Sequence, residues 1–174
     1  MILHQASAPC LDTSSLDRRW TSSSNLTNSP TPEVLDLLGE LDAALSGPYA
    51  ADQRHALSAE QLFQPDIRFF LARLEGAAVA RGGVVLLDGY AEVKRMYSRS
   101  AVRGLGVAKA LLRRIEVEAR GAGLSLLRLE TGIHQQEALR FYEGAGFRRR
   151  APFGSYLDLP PHAIETSLFY EKAL

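Results

Sequence analysis

Residues 99–110 read RSAVRGLGVAKA: two glycines and small residues follow an arginine and lead into an apolar run of helical spacing. A helix N-terminus presents unpaired backbone N–H groups and a partial positive charge. Glycines let a phosphate oxygen approach those donors closely, and Arg103 adds a permanent cation with several donors. The chemistry on offer is anion binding, with an ordinary strand-to-helix turn as the alternative. Two familiar phosphate loops are excluded. A Walker-type loop ends in Gly-Lys-Ser/Thr, whereas Lys109 already lies inside the helical run. A dinucleotide fingerprint needs G-x-G-x-x-G, and Lys109 occupies the third glycine's place.

A turn of this kind needs a strand to bring the chain in and a helix to carry it out. Val107, Ala108, Leu111, Leu112, Ile115 and Ala119 mark the helix, closed by Gly121-Ala122-Gly123. GYAEVKRMYS supplies the strand. Before it, DIRFFLARL ends at Glu75-Gly76 and AAVARGGVVLL at Asp88-Gly89, so the three runs predict an antiparallel meander. Thr31-Pro32-Glu33 opens a first helix, with a capping hydroxyl, proline at the first helical position and an acid in the first turn. Val34, Leu37, Leu38, Leu41 and Leu45 continue it, and Gly47-Pro48 ends it. Ser58-Ala59-Glu60-Gln61 has the form of a capping box for a second, short helix. After the Gly-rich turn come a strand, LSLLRLE, a helix, HQQEALRFYEGAGF, and a last strand, SLFYEKAL. The order implies one α/β domain with a mixed sheet, over residues 31–174. Residues 1–30, rich in Ser, Thr and Asn, predict a loose arm, with ILHQ or RRWT as an edge strand.

Composition narrows the partners. The chain has 174 residues and equal numbers of basic and acidic side chains, 20 of each. Zero net charge argues against general nucleic-acid or membrane binding, so an anion must be held by local geometry. Cys10 is the one cysteine, which rules out an intramolecular disulfide and fits a cytoplasmic location. No run reaches membrane-spanning length, and the first residues, without a basic region or a long apolar stretch, are not expected to act as a secretory signal. The histidines at 4, 55, 134 and 162 lack metal-ligand spacing, so no metal site is expected.

Three blocks in order resemble one family. Arg103-Gly104-Leu105-Gly106-Val107-Ala108 is similar to the R/Q-x-x-G-x-G/A signature of the GNAT superfamily of CoA-dependent N-acetyltransferases. AEVKRMYS resembles that family's preceding strand, and EALRFYEGAGF its A-x-x-x-Y-E-x-x-G-F helix and exit. LETGIHQ and FGSY look like one branch of small acetyltransferases. The resemblance covers about residues 31–174 and implies a mostly antiparallel central sheet flanked by helices, with acetyl-CoA as cosubstrate.

Carried over residue by residue, the resemblance makes Arg103, Gly104, Leu105, Gly106, Val107 and Ala108 the pyrophosphate cradle. Met96, Tyr97 and Ser98 offer backbone groups to the pantetheine arm, and Met96 N–H is the candidate oxyanion donor. Gln135 stands seven residues before Tyr142, where many members carry an Asn that helps hold that arm; Ser100 replaces a common proline. Tyr142 is implied as the acid that protonates the leaving thiolate; a core aromatic beside Phe141 is the other reading. Glu92, expected on one strand face with Lys94 and Met96, is the candidate base; a partner for Lys94 or an arginine, or a solvated glutamate, is the alternative. Glu130 and His134 are candidate substrate-binding residues, against a strand-end charge and a helix-start histidine. Arg148-Arg149-Arg150 is read as a solvated strand end.

The expected activity is acetyl transfer to a primary amine of a small molecule, peptide or protein, by direct attack in a ternary complex. The alternative is a CoA-binding sensor of the same fold without turnover. A third reading, a nucleotide-binding protein reusing the Gly-rich loop, fails because this chain lacks the lysine and acidic residues that metal–triphosphate chemistry needs. A two-fold homodimer is the default for soluble oligomers.

Overall fold

A computed structural model of the protein describes residues 29–174. The expected N-terminal arm up to residue 28, with its edge-strand candidates and Cys10, lies outside the described residues. Helix α1 runs Pro32–Ser46, and the Thr31 hydroxyl accepts a hydrogen bond from the Val34 N–H at 3.4 Å, as the capping signal predicts. The expected capping box at 58–61 forms: Ser58 N–H donates to Gln61 Oε1 at 2.8 Å and Gln61 N–H to Ser58 Oγ at 3.3 Å. The helix behind it is only a single 3₁₀ turn, Gln61–Phe63. Pro65 explains the stop, because the residue before a proline is steered out of helical backbone, and Gln64 is extended.

Strands β1 (Ile67–Leu74), β2 (Ala77–Leu87) and β3 (Tyr90–Ser98) form the expected antiparallel meander. Helix α2 (Val107–Gly121), strand β4 (Leu126–Gly132), helix α3 (Gln136–Gly144), short strand β5 (Arg148–Arg150), one-turn helix α4 (Pro161–Ile164) and strand β6 (Ser167–Ala173) follow. The sheet order is β1-β2-β3-β4-β6-β5, with β3 and β4 parallel and the other pairs antiparallel. Arg148–Arg150 is therefore a paired edge strand, and Arg150 reaches Glu171 at 2.5 Å.

Helices cover both faces of the sheet. Val34, Leu37 and Leu38 of α1 pack with Phe69 and Leu71, while Leu111, Leu112 and Ile115 of α2 pack with Phe70, which points the other way along the same strand. Double coverage explains the nearly continuous burial of β2. A third cluster, Phe153, Tyr156 and Phe169, closes the end of the sheet near Tyr90.

β3 carries one extra residue. Gly83 pairs with Lys94 and Arg81 with Tyr97, so two residues of β3 oppose one of β2, and Arg95 adopts a positive φ of 56°. Arg81, wholly buried, donates to the Arg95 carbonyl, and the Arg95 guanidinium holds Asp42 of α1 at 2.6 and 3.0 Å. Burial, with the Arg95 charge behind it, lowers the Arg81 pKa to about 9. The bulge corrects one expectation: Met96 does not share a face with Glu92 and Lys94. It packs on the α2 side with Ala91 and Val93, because one inserted residue reverses the alternation.

Candidate active site

The pairing of β3 with β4 stops at Val93 and Leu129, although both strands run on. Beyond that point they part, and a cleft of about 770 Å³ opens between the end of β3 and the start of α3. Met96, Tyr97, Ser98, Arg103, Gly104, Gly106, Val107, Ala108 and Lys109 line one wall, and His134, Gln135, Phe141 and Tyr142 line the other. Of the expected cradle, Leu105 alone does not line the cleft: its side chain is exposed and its N–H donates to the Val102 carbonyl.

The cradle's geometry suits an anion. Gly104 and Gly106 have φ of 79° and 82°, values that cost any residue with a Cβ. A Cβ at either would meet nothing within 4 Å, so the space above them is open. Gly106 caps α2 without a side-chain hydrogen bond, and the N–H groups of Gly106, Val107, Ala108 and Lys109 have no acceptor among the described residues. Arg103 stands at the rim, half-exposed and ion-paired to Glu137 of α3. The residues present therefore fit the pyrophosphate that a CoA ligand would bring.

Tyr142 is placed by its helix end. Phe147 N–H donates to the Tyr142 carbonyl at 3.0 Å and Gly146 N–H to the Glu143 carbonyl at 3.0 Å, with Gly146 at φ 91°. This is a Schellman cap, and its usual apolar contact is Phe147 against the Tyr142 ring at 5.6 Å. The motif spacing of YEGAGF is the spacing of that cap. Tyr142 is buried, and its hydroxyl makes no hydrogen bond to another described residue. Burial, reinforced by the Glu130 charge, holds the phenol well above its ordinary pKa.

A second, smaller chamber of about 110 Å³ adjoins the cleft, and Met96, Gln135 and Tyr142 line both. Its polar lining includes Arg54, His55, Lys94, Glu130 and Thr131. Glu130 accepts from Ser167 Oγ at 2.7 Å. Burial raises its pKa above the ordinary carboxylate value; the Ser167 bond and the His55 and Lys94 charges oppose the rise, and the Glu92 charge adds to it. Glu92 is buried behind this chamber, does not line it, and is paired with Lys94 at 2.7 Å while accepting from the Tyr156 hydroxyl at 2.9 Å. Lys94 also donates to Tyr156 at 2.5 Å. His134 lies on the larger cleft, not in the chamber, and its N–H donates to the Tyr49 hydroxyl at 2.9 Å.

The structure thus brings Tyr142, Met96, Gln135 and Glu130 together at one junction and sets Glu92 one layer back. Tyr49, Arg54 and Tyr156 were not singled out from the sequence. Only the FGSY segment carried a signal for Tyr156. Tyr49 sits over Gly132, where a Cβ would lie 2.1 Å from its hydroxyl, so only glycine admits the ring.

Comparison with known proteins shows the family and the fold. The profile described as "Acetyltransferase (GNAT) family" matches residues 34–147. A protein of Azospirillum brasilense named IAA acetyltransferase is 44% identical over 143 residues, covering 81% of this chain and 90% of that protein. A solved structure from Klebsiella pneumoniae, described as an acyl-CoA N-acyltransferase, superposes with a TM-score of 0.70 at 33% identity, over 84% of this chain and 93% of that one. A PaiA N-acetyltransferase from Thermoplasma acidophilum, solved with coenzyme A, shares the fold with a TM-score of 0.62 at 20% identity, over 82% and 94% of the two chains.

Proposed function

The chain belongs to the acetyltransferase (GNAT) family of enzymes, and from that premise we propose that it moves an acetyl group from acetyl-CoA to a primary amine by direct attack. The observation that carries this reading is the meeting of two cavities at Met96 and Tyr142, with free helix-end donors in one and the half-buried Glu130 carboxylate in the other. Acetyl-CoA supplies an acetyl thioester. Gly104, Gly106, Val107 and Ala108 hold its pyrophosphate through backbone donors, with Arg103 at the rim. Tyr97, Ser98 and Gln135 flank the pantetheine arm.

The acceptor enters from the chamber. Its nitrogen bonds to the thioester carbonyl carbon and the carbon–sulfur bond breaks. The amine's proton passes to Glu130, whose raised pKa suits a base working near neutral pH. Tyr142, kept protonated by burial, gives its proton to the departing sulfur. The Met96 N–H serves the developing oxyanion. Glu92, locked with Lys94 and Tyr156, acts on the reaction through its charge on Glu130. His134 borders the pantetheine arm.

Thiol release from acetyl-CoA across a panel of primary amines tests the proposal. The expected result is release with one acceptor class, lost in Arg103→Glu and several-fold slower in Tyr142→Phe. CoA binding without release for any amine would favour the sensor reading, and a chain that does not bind CoA would overturn the cradle.

A further inference from the structure

The chamber side of the site holds more positive charge than its carboxylate accounts for. Three basic side chains, Arg54, Lys94 and Arg95, line it beside Glu130. Lys94 is neutralised by Glu92 at 2.7 Å, and Arg95 by Asp42 at 2.6 Å. Arg54 has no ion-pair partner among the described residues, and its buried Nε has no hydrogen-bond acceptor. Glu130 and Arg54 also form no ion pair with each other, although both line one small chamber. A partly buried arginine and a partly buried carboxylate line the same small chamber, neither in a direct ion pair among the described residues, although the His55 and Lys94 charges act on Glu130; leaving both without a direct partner is costly for the protein alone. A ligand carrying both signs removes the cost at both points.

The segment that carries Arg54 is anchored on either side. Gln53 donates to the His162 carbonyl at 3.2 Å and to Glu165 at 3.0 Å, and His55 Nε2 lies 3.0 Å from the Ala163 carbonyl. The His55 ring also packs edge-on against Tyr156. The segment that places Arg54 beside the chamber is therefore fixed through its neighbours on both sides, which lowers the cost of ordering it on binding.

We propose that the acceptor is an amine that also bears a carboxylate, its amine received at Glu130 and its carboxylate by the Arg54 guanidinium. This rests on the acetyltransferase reading above and names the acceptor class for the same site. The planar fork of an arginine matches a carboxylate in two parallel hydrogen bonds, which a lysine does not reproduce. The product keeps its carboxylate and loses the positive charge of its amine, so it interacts with the Arg54 side alone and leaves Glu130 free.

The test compares matched pairs: phenylalanine against phenethylamine, leucine against isopentylamine, and 6-aminohexanoate against pentylamine. Thiol release from acetyl-CoA gives kcat/KM for each member in the wild type, Arg54→Gln and Arg54→Lys. The wild type is expected to favour the carboxylate member of at least one pair by about tenfold or more. That ratio falls close to one in Arg54→Gln and is partly retained in Arg54→Lys. Because it is taken within each protein, a general loss of activity cancels. A wild type that uses both members equally, or an Arg54→Gln ratio unchanged from wild type, overturns the proposal. If no amine releases thiol, the acetyltransferase reading fails separately. Equilibrium binding of the same pairs to the CoA-saturated protein then decides: a carboxylate preference that needs Arg54 sustains the proposal, and its absence ends it.

Discussion

The cleft and the chamber meet at Met96 and Tyr142 but are built by opposite means. The cleft is walled mainly by two continuous stretches, 96–109 and 134–142, with Leu41, Ala44, Leu45, Pro48 and Tyr49 closing one side, and the candidate cradle in it is backbone. The chamber gathers residues from 41–56, 93–96 and 130–142, braced by Tyr156 and the 162–165 turn. On the proposed function, recognition of the constant ligand is encoded in one short turn, and recognition of the acceptor is spread over segments that only the folded sheet brings together.

The sharpest way to break this comparison is Gly106→Val. A β-branched residue at φ 82° is strained by about 1–2 kcal/mol, and its side chain fills the open space above the cradle. Calorimetric titration is expected to show CoA affinity falling roughly 100-fold, the loss of several charge-assisted bonds. Retained affinity would mean that the glycine turn is only a turn.

Next in size is Glu130→Gln. We expect kcat to fall about 100-fold with KM for acetyl-CoA little changed, and Glu92→Gln to lower kcat less. If Glu92→Gln proves the more damaging, the base is the buried carboxylate and the chamber's division of labour is reversed. A change in KM for acetyl-CoA in Glu130→Gln would mean that the two cavities are not separate.

The smallest effect concerns stability. The Glu130 pKa is raised on folding, so the folded chain favours its protonated form. That contribution is fully present below the ordinary value of 4.5 and is lost as pH rises through the folded value. Glu130→Gln should therefore unfold at a higher denaturant concentration than wild type at about pH 8, with the advantage fading towards about pH 4. An advantage that grows on acidification would contradict the raised value. The carboxylate proposed as the base thus costs the fold something above its folded pKa.

Legibility followed the same division. Periodicity and glycine placement marked α2, α3 and the meander, because local steric rules fix those elements. The turn proposed as the cradle was legible as a turn, because glycines and a helix start are written in consecutive residues. Tyr142 was legible as a motif, and the cap explains it: Tyr142 and Phe147 must be five apart to close the helix end. Met96 was placed on the wrong face, since nothing in AEVKRMYS announces that Arg95 will take a left-handed conformation; Arg81 and Asp42, distant in sequence, hold it there. Arg54 and Tyr49 had no local signal, because their roles arise from where 47–57 crosses the end of β4. The capping box at Ser58 was read correctly as chemistry, yet Pro65 left it no helix to cap.

The bulge at Arg95 acts as a phase change within one strand. Upstream, Tyr90, Glu92 and Lys94 point towards the aromatic cluster around Tyr156; downstream, Met96 turns to the opposite side. One strand thus serves two compartments with independent alternation. Substitutions at 90, 92 and 94 can retune the acceptor side while 96–98 keep their register. The inserted residue sets the register of 96–98 apart from that of 90–94, and Met96, just beyond it, is where the two cavities meet.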